Sequence, residues 1–555
     1  MSTSSSTLKA LQTSTLTTLL SSPTQPWKIL IYDPHCRSIV SPLLTVSGLR
    51  SRGVTLHLAL DSNRGSVPGV EVVYFVEATE SNVQRIISDI SSNLYTSDIH
   101  IFFPSKLPRP LLETLGRGLH SLNAVNRVKT LQDVYCDFRC QLDLFDLMVP
   151  GSFKRSIGGS ESEMEQFCTL VSSKLLSLLS VLKIVPIIRT PPNSCSSLIA
   201  KKTSLLLKDH PITGPRVPLI ICDRDLYPDG LWWHESCYLP LLYDVLDGKG
   251  EKVGNVDISS GEFLREYGYK SFPDVVEGNS TVLKGIEQSE ARLRNAGEVS
   301  DLQNAVDDLP KLMEKKKEVE SHTGLLQAAM EKIGERQIPM LVDLESRLSS
   351  SSDKVASEIT EILKGEGSRE DKLRLASIAG LKGFSSSVVE SWFGLIPDST
   401  AYLEFVMQRR SLKMDVKPSP PTSSHGGDLL AGVGSVLGGV GAKLIDEAGR
   451  KVERLKGKGG MRDFARSVAS VLEGGEKDGE WEYWDCKLRN PLVYDVGDRP
   501  GGGRGKGGRV VVLMVGGGGF GEFGNVREGL GREWDVVYGG TEIRTAKDFL
   551  SDVTG

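Results

Sequence analysis

The sequence is short of several things that would have narrowed its chemistry. Eight cysteines among 555 residues are too few for a disulfide scaffold, so thiols in a reducing compartment are the expectation. There is no basic excess. Lys and Arg number 66 against 71 Asp and Glu, a net charge of −5, which lacks the cationic footprint that phosphate backbones require. Nucleic acid is therefore not an expected partner. No run of 18 consecutive apolar residues occurs, and no membrane-spanning helix is expected. The first 22 residues carry one Lys, no Arg and no sustained apolar core, which fits neither a secretory signal nor a transit peptide. Leu8, Leu11, Leu16, Leu19 and Leu20 line one side of a helix there, and a docked helix is the expectation.

Catalytic signatures are equally sparse. No G-x-S-x-G elbow and no H-E-x-x-H pair occurs. Gly505-Lys506 is followed by Gly507, not by the hydroxyl residue that a phosphate-binding loop needs for Mg²⁺, and reads as linker. Gly516–Gly521 does satisfy G-x-G-x-x-G after a strand. Only about 34 residues follow it, too few for a dinucleotide-binding half. Asp535 and Glu542 are poorly placed as the ribose-binding acid. A strand-to-helix turn is the better reading. A nucleotide-binding α/β enzyme using this turn is kept as the alternative. Cys136 and Cys140 lack a second ligand pair and read as buried thiols, not as a zinc site. His234 and His322 stand alone as structural histidines. Asp223-Arg224-Asp225 follows a strand, with no partner base in the neighbouring sequence. It reads as carboxylates and a guanidinium that satisfy loop amides and each other. No cofactor, no metal and no catalytic residue is assigned.

What is present is alternation. Trp27–Tyr32, Val54–Leu60, Val70–Val76 and Asp98–Phe103 are short apolar runs with helical stretches after them, notably Glu80–Tyr95 and Arg109–Ala124. This rhythm predicts an open, mostly parallel sheet covered by helices. A second α/β region starts near Cys140, with helix Glu163–Ile184 and strand Pro218–Cys222. Thr190–Pro218 reads as loop with a helical piece. From about Asp247 to Gly475 the pattern is mainly helical, including Val282–Ala296 and Leu302–Met330, the second kinked or restarted at Pro310. Gln337–Leu348 continues it. Lys417–Gly427 is Pro/Ser-rich and reads as a mobile loop, and 428–447 as a small apolar flap. The tail returns to α/β with Arg509–Val515, Asp535–Tyr538 and a last helix from Thr545. The fold class is thus α/β with a large helical insertion. Its expected divisions are 1–26, an N-terminal helix or flexible segment; 27–139, a first α/β domain; 140–247 and 480–555, two parts of a second; and 248–479, a helical domain with a hairpin at about 302–348.

Five segments in collinear order carry a resemblance. They are 27–60, 71–90, 218–247, 308–333 and 510–550, with anchor phrases Trp27–Asp33, Ser41-Pro42-Leu43-Leu44, Tyr74-Phe75-Val76, Glu314–Lys317 with His322-Thr323, and the glycine turn before Tyr538-Gly539. Together they resemble the Sec/Munc (SM) family of SNARE-binding proteins, in its Sly-type ER–Golgi branch. The resemblance implies an arch-shaped three-domain fold with two open α/β sheets and a helical domain. It implies a non-enzyme that binds a syntaxin-type Qa-SNARE and assembled SNARE complexes to promote vesicle docking and membrane fusion. It further implies a cytoplasmic monomer, peripheral on ER and Golgi membranes through SNAREs, with tethering factors or a Rab as further partners. A non-SNARE trafficking adaptor is a second alternative. By resemblance, a syntaxin N-terminal peptide docks on the first domain in a pocket of Leu112, Leu115, Gly116, Val128 and Leu131. The helical hairpin would present Lys315, Lys316, Lys317, Leu325 and Leu326 to SNARE helices. The sequence departs from the family phrase at Tyr227, Gly230-Leu231-Trp232, Glu235 and Cys237, which leaves the loop geometry there open.

Overall fold

The computed structural model describes residues 7–254, 256–258, 261–294, 299–350, 352–414, 462–473, 481–487, 492–493 and 508–554. The loop expected at 417–427, the apolar stretch 428–447 and most of the glycine linker before residue 508 lie outside the described residues. Two compact units emerge. One comprises 1–227 with 463–543, and the other 228–462 with 544–555.

The first unit holds two sheets. Strands β1 (Lys28–Tyr32), β2 (Val54–Ala59), β3 (Glu71–Phe75), β4 (Ile99–Phe103) and β5 (Val128–Asp133) pair in the order β2-β1-β3-β4-β5, all parallel. β1, β3 and β4 are buried along their whole length, which is why they read as mostly apolar runs without the alternation of a half-exposed strand. Asp33 ends β1 and caps the next helix through the Cys36 amide (2.7 Å). Its other oxygen takes the Glu77 amide (2.8 Å) and Asn82 Nδ2 (2.6 Å). β5 is an edge strand, paired on one side only.

The second sheet is assembled from distant stretches. It contains β6 (Arg139–Gln141), β7 (Leu144–Asp146), β8 (Val185–Thr190) and β9 (Arg216–Asp223). After a small hairpin in the other unit, β10 (Lys252–Val253) with β11 (Val256–Asp257), the sheet is completed by β12 (Glu482–Asp485), β13 (Leu492–Val493), β14 (Gly508–Val515) and β15 (Trp534–Gly540). The order is β13-β12-β8-β9-β14-β15-β7-β6. β14 lies parallel between β9 and β15, so the closing strands are internal to this sheet. β8 and β12 carry no period that sets them apart from their flanks, and the sequence reading passed over both.

One apolar core joins the two sheets. Leu30, Val73 and Phe75 of the first pack in the same cluster as Phe145, Leu219 and Leu513 of the second. The N-terminal helix Leu8–Leu20 docks into it through Leu8, Leu16, Leu19 and Leu20, each worth about 1.5–3 kcal/mol if fully buried. Gln12 from the same face donates to the Phe138 carbonyl (2.6 Å). Helix Glu161–Leu182 also enters this core. It is long and apolar enough to cross a membrane, and it is the one such helix among the described residues. Two thirds of its apolar stretch is buried, as in the core helix of a globular fold.

The second unit is helical. Of the kink or restart expected at Pro310, the restart does not occur: helix Val299–Glu335 runs through it as one element. The break falls instead at Gln337, in the left-handed region (φ 53°), before helix Ile338–Ser346. Cys136 and Cys140 share no helix: the first follows β5, the second lies on β6, and both are buried free thiols. The helical piece expected within Thr190–Pro218 is the four-turn helix Cys195–Asp209.

Candidate docking surface

The helix before β5, Arg109–Ser121, begins with Pro110 in its first turn and an exposed Arg109–Glu113 pair (3.0 Å). Its apolar residues divide between two faces. Leu115 and Leu119 point into the core beneath, with Ile99, Ile101 and Phe103 of β4. Leu112 points outward and is 43% exposed, and a Cβ built on Gly116 meets no atom within 4 Å.

The far wall depends on a register shift. Val128 pairs with Ile99, but His100 pairs with Thr130 and Ile101 with Leu131. One extra residue, Lys129, is accommodated in β5, as in a bulge. Residues three apart on a regular strand face opposite ways. The shift instead sets Val128 and Leu131 beside Ile99 and Ile101, on the face covered by the helix. Thr130 turns to the other face and meets His100 Nδ1 (2.9 Å). Val128 packs against the core while Leu131 is 41% exposed.

The structure therefore brings Leu112, Leu115, Gly116, Val128 and Leu131 onto one side of one sheet edge, in unequal roles. Leu115 is fully buried, so it supports the surface from below and offers none itself. This corrects its place as a contacting residue. An apolar side chain facing a sheet is removed from water by folding before any partner arrives. Leu122, the residue that ends the helix, and Val125, in the turn Val125–Arg127 after it, are exposed as well.

The two long paired helices are Phe272–Arg294 and Val299–Glu335, so the hairpin begins earlier than the expected 302–348. Leu325 and Leu326 are buried with Val319, Ala329 and Ile333. They are corrected from contact surface to packing, since these positions recur with the helical period on the inward side. Lys315 pairs with Glu262 (3.1 Å) and Lys316 with Glu290 (2.8 Å). Lys317 faces solvent, four residues on from Met313 and eight from Leu309, both exposed.

Residues 28–552 match the model of the Sec1 family. The chain belongs to the Sec1 family. It is 29% identical to the SEC1 family transport protein SLY1 of Arabidopsis thaliana, over 95% of this chain and 91% of that one. It is 25% identical to the human Sec1 family domain-containing protein 1, over 95% and 93%. Among solved structures, Sly1p in complex with an N-terminal peptide of Sed5p superposes with a TM-score of 0.80 at 22% identity, covering 99% of this chain and 98% of that one. The Unc18–syntaxin 1 complex from Monosiga brevicollis gives 0.76 at 18%, covering 99% of each. These likenesses establish a shared fold.

In this Sec1-family chain the glycine turn is filled from within. Gly516 (φ 93°) and Gly517 (φ 103°) leave β14 in the left-handed region and lead to helix Phe520–Leu530. The Arg224 guanidinium donates to the Gly517 carbonyl (2.6 and 3.1 Å) and to both oxygens of Glu522 (2.6 and 2.5 Å), and Tyr538 donates to Glu522 (2.8 Å). A Cβ on Gly516 would stand 2.8 Å from Arg224 Cβ, and one on Gly518 2.8 Å from the Tyr538 hydroxyl. The glycines permit the close approach of Arg224 and Tyr538, so the motif has a use within the fold that involves no nucleotide. The Asp-Arg-Asp signal resolves the same way: Asp223 accepts the Ser196 amide (3.1 Å) and Arg224 closes the turn.

The departures from the family phrase are absorbed by packing. Tyr227 stacks edge-on against Phe464. Trp232 is fully buried against Phe405 and Phe549, and Glu235 pairs with Arg462. Beside them His234 lies between Glu345 (2.5 Å) and Asp371 (3.1 Å). Burial and Arg374 oppose its charge, but the two carboxylates prevail and hold the imidazole above its usual value. His322, meeting Tyr238 (2.9 Å), is pushed down to about 4 by burial. Among the described residues no group of three His, Cys, Asp or Glu is arranged to hold a metal.

Proposed function

We propose that this protein is an SM-type SNARE chaperone that binds a syntaxin-type Qa-SNARE, and SNARE bundles, to promote vesicle docking and membrane fusion in ER–Golgi transport. It acts from the cytoplasm, peripherally at ER and Golgi membranes, without a catalytic step. Residues 27–139 serve as the docking domain. The observation that carries this reading is the pair of exposed leucines, Leu112 and Leu131, on one side of the sheet edge with open space over Gly116. A peptide with an apolar side chain fits such a place, because burying that side chain against both leucines contributes about 25 cal/mol per Å² removed from water. The SLY1 relatives, and the Sed5p peptide held by Sly1p, support a syntaxin N-terminal segment as the occupant.

The test is calorimetric titration with a syntaxin-type N-terminal peptide. The double variant Leu112→Glu, Leu131→Glu is expected to bind at least tenfold more weakly, about 1.4 kcal/mol, with an unchanged unfolding transition. Equal affinity in the folded variant rejects the surface. Leu115→Lys is a poor probe, because it places a charge in the core. For SNARE bundles one accessible stripe of the hairpin is Leu309, Met313 and Lys317, and the lysine charge would act on association rate more than on affinity.

A further inference from the structure

Two cysteines that no motif links meet in the first unit. Cys168 lies on helix Glu161–Leu182, and Cys195 is the first residue of helix Cys195–Asp209. Their sulfurs are 3.7 Å apart, and both are free thiols. The helices are held in register, because Ser172 Oγ, one turn on from Cys168, donates to the carbonyl of Ile199, one turn on from Cys195 (3.2 Å). Lys202 pairs with Glu165 across the same interface. Cys168 is fully buried, while Cys195 is half-buried and follows the exposed Pro192 and Asn193. A disulfide of about 2.05 Å requires the sulfurs to close by well under one residue's length, from side chains that already face each other.

We propose that Cys168 and Cys195 form a redox modification site, closing to a reversible disulfide on exposure to a small hydroperoxide. The half-buried Cys195 is the thiol that solvent reaches. Its sulfur attacks one peroxide oxygen as thiolate. The S–O bond forms, the O–O bond breaks, and hydroxide (from hydrogen peroxide) or alkoxide (from an organic hydroperoxide) leaves, giving the sulfenic acid. Cys168 then attacks that sulfur. The S–S bond forms, the S–O bond breaks, and the departing hydroxide takes up a proton as water. The two thiols lose two electrons and the peroxide gains two. The hydrogen bond from Cys195 holds the Cys168 thiol below its ordinary value and raises that of Cys195, so solvent access and not acidity assigns the first step to Cys195, through the small fraction of it present as thiolate. The closed bond would tie together two helices that cover the second sheet, beside the Asp223 cap of Ser196.

The experiment uses the full chain. It is titrated with hydrogen peroxide, alkylated, digested with trypsin without reductant and read by mass spectrometry. The expected product is peptide 156–174 joined to peptide 190–201, two hydrogens lighter than the pair and released by dithiothreitol. With Cys168→Ser, Cys195 is expected to accumulate a sulfenic acid that dimedone traps. The proposal is overturned if both wild-type thiols remain alkylated while other cysteines oxidise. It is equally overturned if the dominant cross-link joins a different pair, or if dimedone labels nothing in the folded Cys168→Ser variant.

Discussion

The glycine turn after β14 and the outer edge at β5 are both places where a helix meets parallel strands, and they have opposite contents. The turn carries the strongest chemical signature in the sequence, yet Arg224, Glu522 and Tyr538 occupy it. The edge carries no signature, only leucines, and two of them remain in solvent. A glycine-rich motif reports backbone freedom, and here that freedom admits the protein's own guanidinium. Exposed apolar surface beside an unpaired strand edge is what a partner can still bury.

The comparison breaks most sharply at Arg224. Arg224→Met should strand the Glu522 carboxylate in the core and cost about 3–5 kcal/mol, read from urea denaturation of the full chain. A loss below 1 kcal/mol would mean that the turn is not sealed by this pair. NAD should in turn give no heat of binding to the wild type. Next in size is the contrast within one helix. Leu115→Ala should cost about 2–5 kcal/mol as a core truncation, while Leu112→Ala stays within about 0.5 kcal/mol. Equal losses would erase the division between core floor and open surface.

A smaller effect separates the two histidines of the helical unit. His234 is raised when folded, so its contribution is full below about pH 6.5 and is lost as pH rises through its folded value. His322 is depressed, so its contribution is full above about pH 6.5 and is lost as pH falls toward 4. On the alkaline side only His234 titrates of the two, and His234→Gln should flatten that limb of the stability profile. A limb unchanged in the variant would assign it elsewhere. The smallest effect belongs to the hairpin. Lys317→Glu should slow SNARE assembly at low salt by a few-fold, with the difference shrinking as ionic strength rises. Reversing Lys315 and Lys316 as well would also break their pairs with Glu262 and Glu290, so the single variant is the cleaner measure.

Much of the architecture was legible because the physics is local. Runs such as Lys28–Tyr32 and Arg509–Val515 announce strands buried on both faces, and collinear phrases from Trp27 to Leu550 carried the family resemblance. The family resemblance placed Leu112, Leu115 and Gly116 together in one pocket. It could not say that Leu115 turns inward, nor that Leu325 and Leu326 do, because a periodic apolar stripe looks the same whether a core or a partner covers it. The edge strand shows the limit most plainly. Val128 and Leu131 share a face only because pairing with β4 skips Lys129, and strand register is decided by a neighbour about 30 residues away. The meeting of Cys168 with Cys195, and of Arg224 with Glu522, is of the same kind. Local sequence determined which elements form and which faces are apolar. The packing of distant segments decided which of those faces stayed open, since burial and register are properties of pairs of elements and not of either one alone.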